Sequence, residues 1–229
     1  MKPTATIKKM PYKLLACISL LFFSACATQV DEPIKLSGTV NIKRLLILPF
    51  KNMSAIYGES NSLKSPLSGR VYLTGEVPEG ATDFLTKNLK ALIKSRTVFT
   101  VLPENLANNL LSSSIAGNKE MQSERGLLIE AGRFADADVV LAGYLYRFKQ
   151  RVGTSYAAES PASVAFGIHL INVSDGRILW SGHIDETQHS LSDNLFEIGF
   201  FFKRGAKWAT SEEMAVSGLE ELIKTFPKS

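Results

Sequence analysis

The clearest hydrophobic pattern of the chain lies between residues 162 and 188. Large apolar residues occupy alternate positions there, which is the period of strands that bury one face. These positions are Val164, Phe166, Ile168, Leu170, Ile178, Trp180 and Ile184. A two-residue loop, Asp175-Gly176, would put the apolar positions of the two strands on opposite faces, whereas a three-residue loop, Ser174 to Gly176, puts Leu170 opposite Trp180. The sequence therefore predicts an antiparallel hairpin with a bulged turn, one buried face and one less buried face.

The rest of the chain alternates between strand and helix patterns. Continuous apolar or β-branched runs predict three more strands, at Arg44–Phe50, Val98–Leu102 and Asp138–Gln150. Helical spacing predicts helices at 79–96, 123–135 and 193–203, a short one carrying Leu106, Leu110 and Leu111, and a last one between a Thr210/Glu213 capping box and Pro227. Residues 51–78 lack a sustained period and are predicted to form a long loop. This order predicts a single domain of the α/β (α+β) class, with a mixed five-stranded sheet packed by helices.

Each predicted helix carries an apolar stripe that should face the sheet. The three clearest stripes are Phe84, Leu85, Leu89, Leu92 and Ile93; Leu127, Leu128, Ala131 and Phe134; and Ala215, Leu219, Leu222, Ile223 and Phe226. Gly126 and Gly132 weaken the helix at 123–135 by up to roughly 1 kcal/mol each. We therefore expect tertiary packing to hold that helix.

The first 25 residues have the pattern of a leader rather than of a folded element. A basic segment precedes a run of ten mostly aliphatic and aromatic residues, Leu14 to Phe23, which is too short to cross a bilayer. The next residues complete the sequence Phe23-Ser24-Ala25-Cys26, which resembles the lipobox of bacterial lipoprotein signal peptides, although such signals usually have Leu where this chain has Phe23. The alternative is an ordinary secretory signal with an incidental cysteine.

The lipobox resemblance implies how the chain is divided and where it resides. It implies a signal peptide at residues 1–25, lipidation of Cys26, a tether at residues 26–42 and one globular domain at residues 43–229. The residue after the cysteine is Ala27 and not Asp, which by resemblance to such signals favours the outer membrane over retention at the inner membrane. The expected location is the periplasmic side of the outer membrane, with the lipid as the membrane anchor.

The charge of the chain changes once the leader is set aside. The whole sequence has a formal charge of +4, and all four charges of the leader are Lys. Removing those four from the 26 basic residues leaves 22, which equals the 22 acidic residues. A neutral domain gives no support for nucleic-acid binding, which needs a basic face. Cys17 lies in the leader, so the mature chain keeps only Cys26 and no internal disulfide can form.

The sequence contains no familiar catalytic motif, such as a nucleophile elbow, a Walker loop or a zinc-protease helix. We therefore predict no catalytic residues, no enzymatic activity and no cofactor. One polar cluster is a candidate metal or ligand site, since the predicted turn places His169 opposite Ser181 with His183 as its diagonal neighbour and Asp185 on the same face. The alternative interpretation makes these residues ordinary polar positions of the less buried face. Asp136 and Asp138 are interpreted as structural caps at the start of a strand.

The segment from Phe200 to Trp208 is unusually rich in aromatic and basic residues. Consecutive Phe residues spread over about 200° of a helix, so one face cannot bury all of them. One interpretation is that the loop at 51–78 covers them. The other is that they form a contact for an envelope partner or for anionic lipid, because aromatic and Arg side chains dominate interface hot spots. The candidate interaction residues are Phe200, Phe201, Arg204, Lys207 and Trp208.

Four segments together resemble a known domain group. They are LLILPFKN near residue 45, TVFTVLPE near residue 97, ADADVVLAGYLYRF from residue 135 and LINVSDGRILWSG from residue 170. They resemble the domain shared by the TolB N-terminal region and the CsgG and LpoB groups of outer-membrane lipoproteins, over about residues 43–188. The chain departs from that group in its long segment after Phe50, in its aromatic C-terminal extension and in lacking extra amphipathic strands that could build a pore.

The family resemblance implies a lipid-anchored interaction or assembly module that docks on a protein partner in the cell envelope. The competing hypothesis is a periplasmic ligand-binding or metal-binding protein, or an enzyme, that uses the face of His169, His183 and Asp185. A concave pocket at the two histidines would favour the second hypothesis, and a flat sheet face would favour the first.

Overall fold

The computed structural model describes residues 43–103, 123–153, 158–188 and 209–227. All of them belong to one compact unit, Pro33–Ser229. The strands are β1 Arg44–Ile47, β2 Lys51–Asn52, β3 Ser62–Lys64, β4 Val71–Leu73, β5 Thr100–Val101, β6 Val139–Lys149, β7 Val152–Gly153, β8 Ala158–Ser160, β9 Ser163–Asn172 and β10 Ile178–Thr187. The helices are α1 Met53–Tyr57, α2 Ala81–Arg96, α3 Glu124–Phe134 and α4 Ser211–Lys224.

The main sheet is mixed and follows the order β10-β9-β6-β1-β5. Strand β1 is parallel to β5 and β6, whereas β6, β9 and β10 are antiparallel to one another. The two-residue strand β2 adds a sixth member beside β6. The predicted α+β fold with a mixed sheet is therefore confirmed, and its five principal strands are the five predicted ones. Strands β3–β4 and β7–β8 form two further two-stranded ladders.

The β9–β10 hairpin has the predicted register. Trp180 pairs with Leu170 and Gly182 pairs with Ile168, while Gly176 has φ +72°, the left-handed conformation that favours glycine. The prediction for Ile178 is wrong. A register shift between Ile178 and Trp180 turns Ile178 toward the opposite face of the sheet. There it packs with the apolar residues that are buried beneath α3 and residues 51–78.

Helices α2 and α4 cover the face that carries the predicted apolar positions of the hairpin. Their buried side chains form one cluster with Val164, Phe166, Ile168, Leu170, Trp180 and Ile184 of the sheet. From the predicted stripes, Leu85, Leu89, Ile93, Ala215, Leu219, Ile223 and Phe226 are buried, and Phe84, Leu92 and Leu222 are partly buried. The capping box of Thr210 and Glu213 is present at the start of α4, as the sequence predicts.

Helix α3 packs on the opposite face of the sheet. Leu128 and Ala131 are buried as predicted, but Phe134 is 64% exposed, so that prediction is wrong. Phe134 is the last residue of the helix, and the chain turns back into β6 before its side chain can reach the sheet. A Cβ on Gly132 would lie 2.4 Å from Val173 Cγ2 and 2.8 Å from Val140 Cγ2. Gly132 therefore allows α3 to approach the sheet closely, which supplies the tertiary packing that this helix needs.

The segment predicted to be a long loop, residues 51–78, contains four short elements instead. It supplies β2, α1, β3 and β4, and it runs along the second half of β6. Gly75 N–H donates to the carbonyl of Tyr146 at 3.0 Å, and Phe148 N–H donates to the carbonyl of Glu76 at 2.7 Å. This segment also folds over the sheet face opposite α2 and α4, where the ring of Tyr72 stacks on that of Tyr146 with centroids 4.1 Å apart.

The sheet has two ends that matter below. The near end is the end at which β1 and β6 begin, where Thr100 N–H donates to the carbonyl of Lys43 at 2.8 Å. The far end is the end at which β6 stops at Lys149 and β9 begins. There, Gln188 N–H donates to the carbonyl of Ala162 at 3.0 Å, and Ala209 N–H donates to Gln188 Oε1 at 2.7 Å. None of the helices in the described ranges has the length and apolar character that a bilayer crossing requires.

Candidate functional site

His169 lies at the centre of the face that was expected to be less buried. His169 is only 1% exposed, so the expectation of a less buried face is wrong. The covering elements are α3 and residues 51–78, which together bury this face. His169 Nδ1 lies 2.7 Å from the hydroxyl of Ser181, its predicted cross-strand neighbour. Burial lowers the pKa of His169 to about 4, with a smaller contribution from His183, so the ring is neutral at pH 7.

Tyr72 covers the gap that a glycine leaves beside His169. A Cβ on Gly167 would lie 3.2 Å from Tyr72 Oη and 3.4 Å from His169 Nε2. Without that Cβ, the tyrosine can lie flat across β6 and β9 while it stacks on Tyr146. Burial is the main cause that raises the pKa of Tyr72 above its usual value and that of Tyr146 to about 12. This part of the face is therefore a packed interior with neutral polar groups.

Asp185 is engaged in a second polar cluster, organised by Arg147. The guanidinium of Arg147 donates to Asp185 Oδ1 at 2.6 Å, to Ser163 Oγ at 2.6 Å and to the carbonyl of Leu73 at 2.7 Å. The side chain of Arg147 is 12% exposed and that of Asp185 is 40% exposed, so the guanidinium is largely buried while its ion pair with Asp185 stays partly open to solvent. They join β6, β9, β10 and β4 at the far end of the sheet, and they fix Asp185 as the partner of an arginine.

The two histidines and Asp185 do not come together as a ligand set. His169 directs one ring nitrogen at Ser181, and Asp185 is held by Arg147. Within the described ranges there is no group of three His, Cys, Asp or Glu side chains that could hold a metal ion. At His169 this face is covered by α3 and residues 51–78 and is not an open, concave pocket. The geometry of the described residues therefore favours a structural role for this cluster.

Asp136 and Asp138 have the structural role that the sequence indicates. Asp138 Oδ2 accepts the backbone N–H groups of Lys43 at 2.9 Å and Arg44 at 2.8 Å. Asp136 pairs with the guanidinium of Arg44, with 2.8 Å between Nη2 and Oδ1, and this hydrogen bond lowers the pKa of Asp136. Together the two carboxylates fasten the start of β1 to the start of β6.

The described surface presents one continuous segment with several exposed apolar side chains. We call it the hairpin surface, and it consists of Ile56, Tyr57, Lys64, Val71 and Leu73. The four apolar members are 52–59% exposed, and among the described residues only three other large apolar side chains are as exposed. Such a concentration on one segment is typical of an interaction site.

Strand alternation explains why these side chains point outward. In the β3–β4 ladder Lys64 pairs with Val71, and Leu63 pairs with Tyr72. Tyr72 is 1% exposed and faces the sheet, so its neighbours Val71 and Leu73 must face away from it. The buried tyrosine fixes the hairpin on the sheet, and the exposed side chains are the opposite face of the same hairpin.

Hydrogen bonds hold α1 and the hairpin together as one unit. The hydroxyl of Thr74 lies 2.8 Å from the carbonyl of Gly58 and accepts the N–H of Asn61 at 2.9 Å. The hydroxyl of Ser54 donates to the carbonyl of Gly75 at 2.7 Å. Asn52 caps α1, because its side chain accepts the N–H of Ala55 at 2.9 Å. The hairpin surface therefore has a fixed backbone and does not rest on an irregular loop.

The other predicted site residues lie outside the described ranges. They are Cys26, Phe200, Phe201, Arg204, Lys207 and Trp208. The short helix at 106–111 and the helix at 193–203 also lie outside them. The described residues on either side of residues 189–208, Gln188 and Ala209, meet at the far end of the sheet.

Sequence reasoning missed the hairpin surface because it interpreted residues 51–78 as one loop. A signal was present, since Val71, Tyr72 and Leu73 form an apolar triplet that contains one β-branched and one aromatic residue. Strands of three residues give too few positions for alternation to stand out from a background of Ser, Gly and Pro.

Comparisons with known proteins find likeness in three dimensions only. No family model matches the chain, and no curated protein matches it significantly. Among solved structures, the PelC dodecamer from Paraburkholderia phytofirmans is similar with a TM-score of 0.46 and 11% identity, covering 83% of this chain and 91% of that one. Lipoprotein GNA1162 from Neisseria meningitidis has a TM-score of 0.41 and 16% identity, covering 72% and 95%.

The C-terminal domain of LpoB from Escherichia coli is also similar, with a TM-score of 0.40 and 16% identity over 66% of this chain and 88% of that one. The LpoB part of the resemblance seen in the sequence therefore has a counterpart among the solved structures. The TolB and CsgG parts stay predictions. Because all these TM-scores are below 0.5, the functional argument rests on the residues of this chain.

Proposed function

We propose that this chain is a lipid-anchored envelope protein that binds a protein partner and catalyses no reaction. Cys26 would carry the lipid, and the domain would face the periplasm from the outer membrane. The observation that carries the proposal is the hairpin surface, where four large apolar side chains are about half exposed on a segment held by a buried tyrosine. Exposed apolar side chains on a fixed backbone are the usual core of a protein interface.

The anchor is supported by the lipobox-like sequence Phe23 to Cys26 and is tested by one substitution. We expect Cys26→Ala to leave a chain that is uncleaved or is released from membranes washed in high salt, because an electrostatic contact of the domain with lipid would be weakened by salt whereas a lipid anchor would not. Fractionation and mass spectrometry of the N-terminus measure this. A variant that is still lipidated and processed to the same size would refute the lipobox interpretation.

The partner contact is tested by photocrosslinking from the hairpin surface in cells. A photoreactive amino acid at position 71 should give one discrete crosslinked protein, whereas the same group at Lys87, exposed on α2, should not. The double variant Val71→Thr with Leu73→Thr puts β-branched side chains, which suit a strand, at both positions but removes apolar surface, so we expect partner recovery to fall at least about tenfold. Its stability should change by less than about 0.5 kcal/mol, since both side chains are exposed.

The control for this experiment is Lys87→Thr, which changes an exposed side chain away from the hairpin surface. A partner that is recovered equally with the double variant would refute the hairpin surface as its contact. Equal crosslinking from positions 71 and 87 would show that the crosslinks reflect nonspecific proximity, and it would also refute the hairpin surface as the contact.

We also propose the aromatic segment as a second part of the partner contact, with Phe200, Phe201, Arg204, Lys207 and Trp208 as its residues. The support is its composition, four aromatic and three basic residues in nine positions. The double variant Trp208→Ala with Arg204→Ala should weaken partner binding at little cost in stability. A variant that unfolds several degrees earlier but, when folded, binds the partner as before would assign these side chains to the core.

A further inference from the structure

The two most exposed large apolar side chains of the described residues both lie at the near end of the sheet. Val98 is 79% exposed and Phe134 is 64% exposed. Val98 lies between α2 and β5, and Phe134 is the last residue of α3. Because α2 and α3 cover opposite faces of the sheet, the two side chains stand on either side of the sheet at the same end.

Four exposed cations accompany them. Lys43 precedes β1, Lys94 and Arg96 are in the last turn of α2, and Arg133 is in the last turn of α3. Within the described residues none of their side chains has a carboxylate partner.

Two arginines at this end face three carboxylates, and in the last turn of α4 Lys224 pairs with Glu221. Arg44 pairs with Asp136 and lies near Asp138, and Arg177 pairs with Asp175 at 2.6 Å. With the four cations that have no carboxylate partner among the described residues, seven cations face four carboxylates, so these groups together carry an excess of positive charge.

Helix dipoles explain only part of this arrangement. Helices α2, α3 and α4 all end at the near end, and the partial negative charge of a helix C-terminus favours nearby Lys and Arg. That effect accounts for basic residues in the last turns. It does not account for Lys43, which is not in a helix. It also does not account for the exposure of Val98 and Phe134, because contact of apolar side chains with water is unfavourable.

The near end is also where the chain joins the segment that precedes the described domain. Lys43 follows residues 26–42, the 17-residue tether that the lipobox resemblance implies. An extended chain of that length reaches at most about 60 Å, so the lipid would hold this end within reach of the bilayer. The hairpin surface lies toward the opposite end, beside the second half of β6.

We propose that the near end is a membrane-docking surface that rests on anionic lipid headgroups, with Val98 and Phe134 inserted at the headgroup level. Lys43, Lys94, Arg96 and Arg133 attract the lipid phosphates, and the two apolar side chains anchor the contact. This combination of basic residues with exposed apolar side chains is the chemistry of interfacial membrane binding. The inference extends the proposed lipid anchor, but it concerns a separate surface of the folded domain.

The test uses the chain from residue 26 onward with Cys26→Ala, which keeps the whole compact unit and cannot carry a lipid. The leader is omitted because its apolar run would itself bind vesicles. We expect cosedimentation with vesicles of phosphatidylglycerol and phosphatidylcholine in equal parts, and little with phosphatidylcholine alone. Each Lys or Arg at an anionic surface contributes roughly a fivefold gain in binding. The triple variant Lys94→Gln, Arg96→Gln and Arg133→Gln should therefore weaken binding by at least about tenfold.

A matched control changes three lysines away from the near end, Lys64→Gln, Lys87→Gln and Lys149→Gln, and should weaken binding less than about threefold. The apolar variant Val98→Thr with Phe134→Ser keeps every charge and should also lower binding, and it preserves the test if the triple variant fails to fold. Circular dichroism confirms folding of each protein before vesicles are added.

Three outcomes would overturn the docking surface. They are no binding of the unlipidated chain to anionic vesicles, equal binding to neutral vesicles, or equal losses in the triple variant and its matched control. Because this assay contains no lipidated protein and no partner, its failure is distinct from a failure of the Cys26 anchor or of the hairpin surface.

Discussion

At the residue scale, His169 shows how burial turns a candidate ligand into a determinant of stability. Its pKa of about 4 in the folded chain is below the value of about 6.5 expected when unfolded. Between pH 6.5 and 4, His169 is therefore protonated in the unfolded chain but neutral in the folded chain. Stability is fully present above pH 6.5 and falls as the pH drops toward 4.

This difference in pKa predicts that the free energy of unfolding falls by roughly 2.5 kcal/mol between pH 7.5 and 4.5 because of His169 alone, at 1.36 kcal/mol per pKa unit. Urea unfolding at the two pH values measures it. The variant His169→Gln removes the titrating group, so its loss over the same range should be smaller by about that amount. Parallel losses in both proteins would show that His169 does not titrate with a depressed pKa.

Some residue positions were predictable from the sequence and others were not. The pairing of Leu170 with Trp180 follows from alternation and from the length of the turn, both of which are local. Ile178 was placed on the wrong face because a bulge of one residue between Ile178 and Trp180 reverses orientation without any change in composition. The burial of His169 was not predictable, because the elements that cover it come from residues 51–78 and 123–135.

At the element scale, the signals inside the longer described elements predicted their existence and type, although not the burial of every side chain. Helix α4 was predicted from a capping box and an apolar stripe, and both are present. The four short elements between residues 51 and 78 were missed, because strands of two or three residues and a helix of five are fixed by contacts with β6 and not by their own pattern. The hairpin surface, on which the proposed function depends, is made of these elements.

Helix α3 gives a prediction at this scale, because a glycine in a helix interior is normally unfavourable. Gly132→Ala should gain up to about 1 kcal/mol of helix propensity, but the new methyl would lie 2.4 Å from Val173 Cγ2. Overpacking of this kind typically costs about 1–3 kcal/mol, so we expect a net loss of about 1 kcal/mol in denaturant unfolding. With Val173→Ala in the background, the same substitution should cost less. A stabilised single variant would show that α3 can move away from the sheet.

At the scale of the whole molecule, the two proposed surfaces divide the domain between two tasks. The near end carries exposed cations, Val98 and Phe134, and the far end lies beside the hairpin surface and Ala209, the residue that follows the aromatic segment. Strand β6, which joins the two regions, has 11 residues and spans about 35 Å at roughly 3.3 Å per residue. The hairpin surface lies beside Tyr146 and Arg147, seven to eight residues from the start of β6, so a domain that rests on the membrane through its near end would present it about 25 Å above the bilayer.

This arrangement predicts that the reach of the domain is set by the fold and not by the tether. Deleting residues 29–36 leaves nine of the 17 tether residues, including Cys26 and Ala27, and still spans about 30 Å when extended. If the near end rests on headgroups, the tether is slack, and crosslinking of the partner from position 71 should stay within about twofold of the intact chain. If the tether instead works as an extended spacer that carries the domain away from the membrane, the deletion shortens its reach by nearly half. Loss of the crosslink in a deletion variant that is still lipidated and folded would thus show that the domain does its work away from the bilayer.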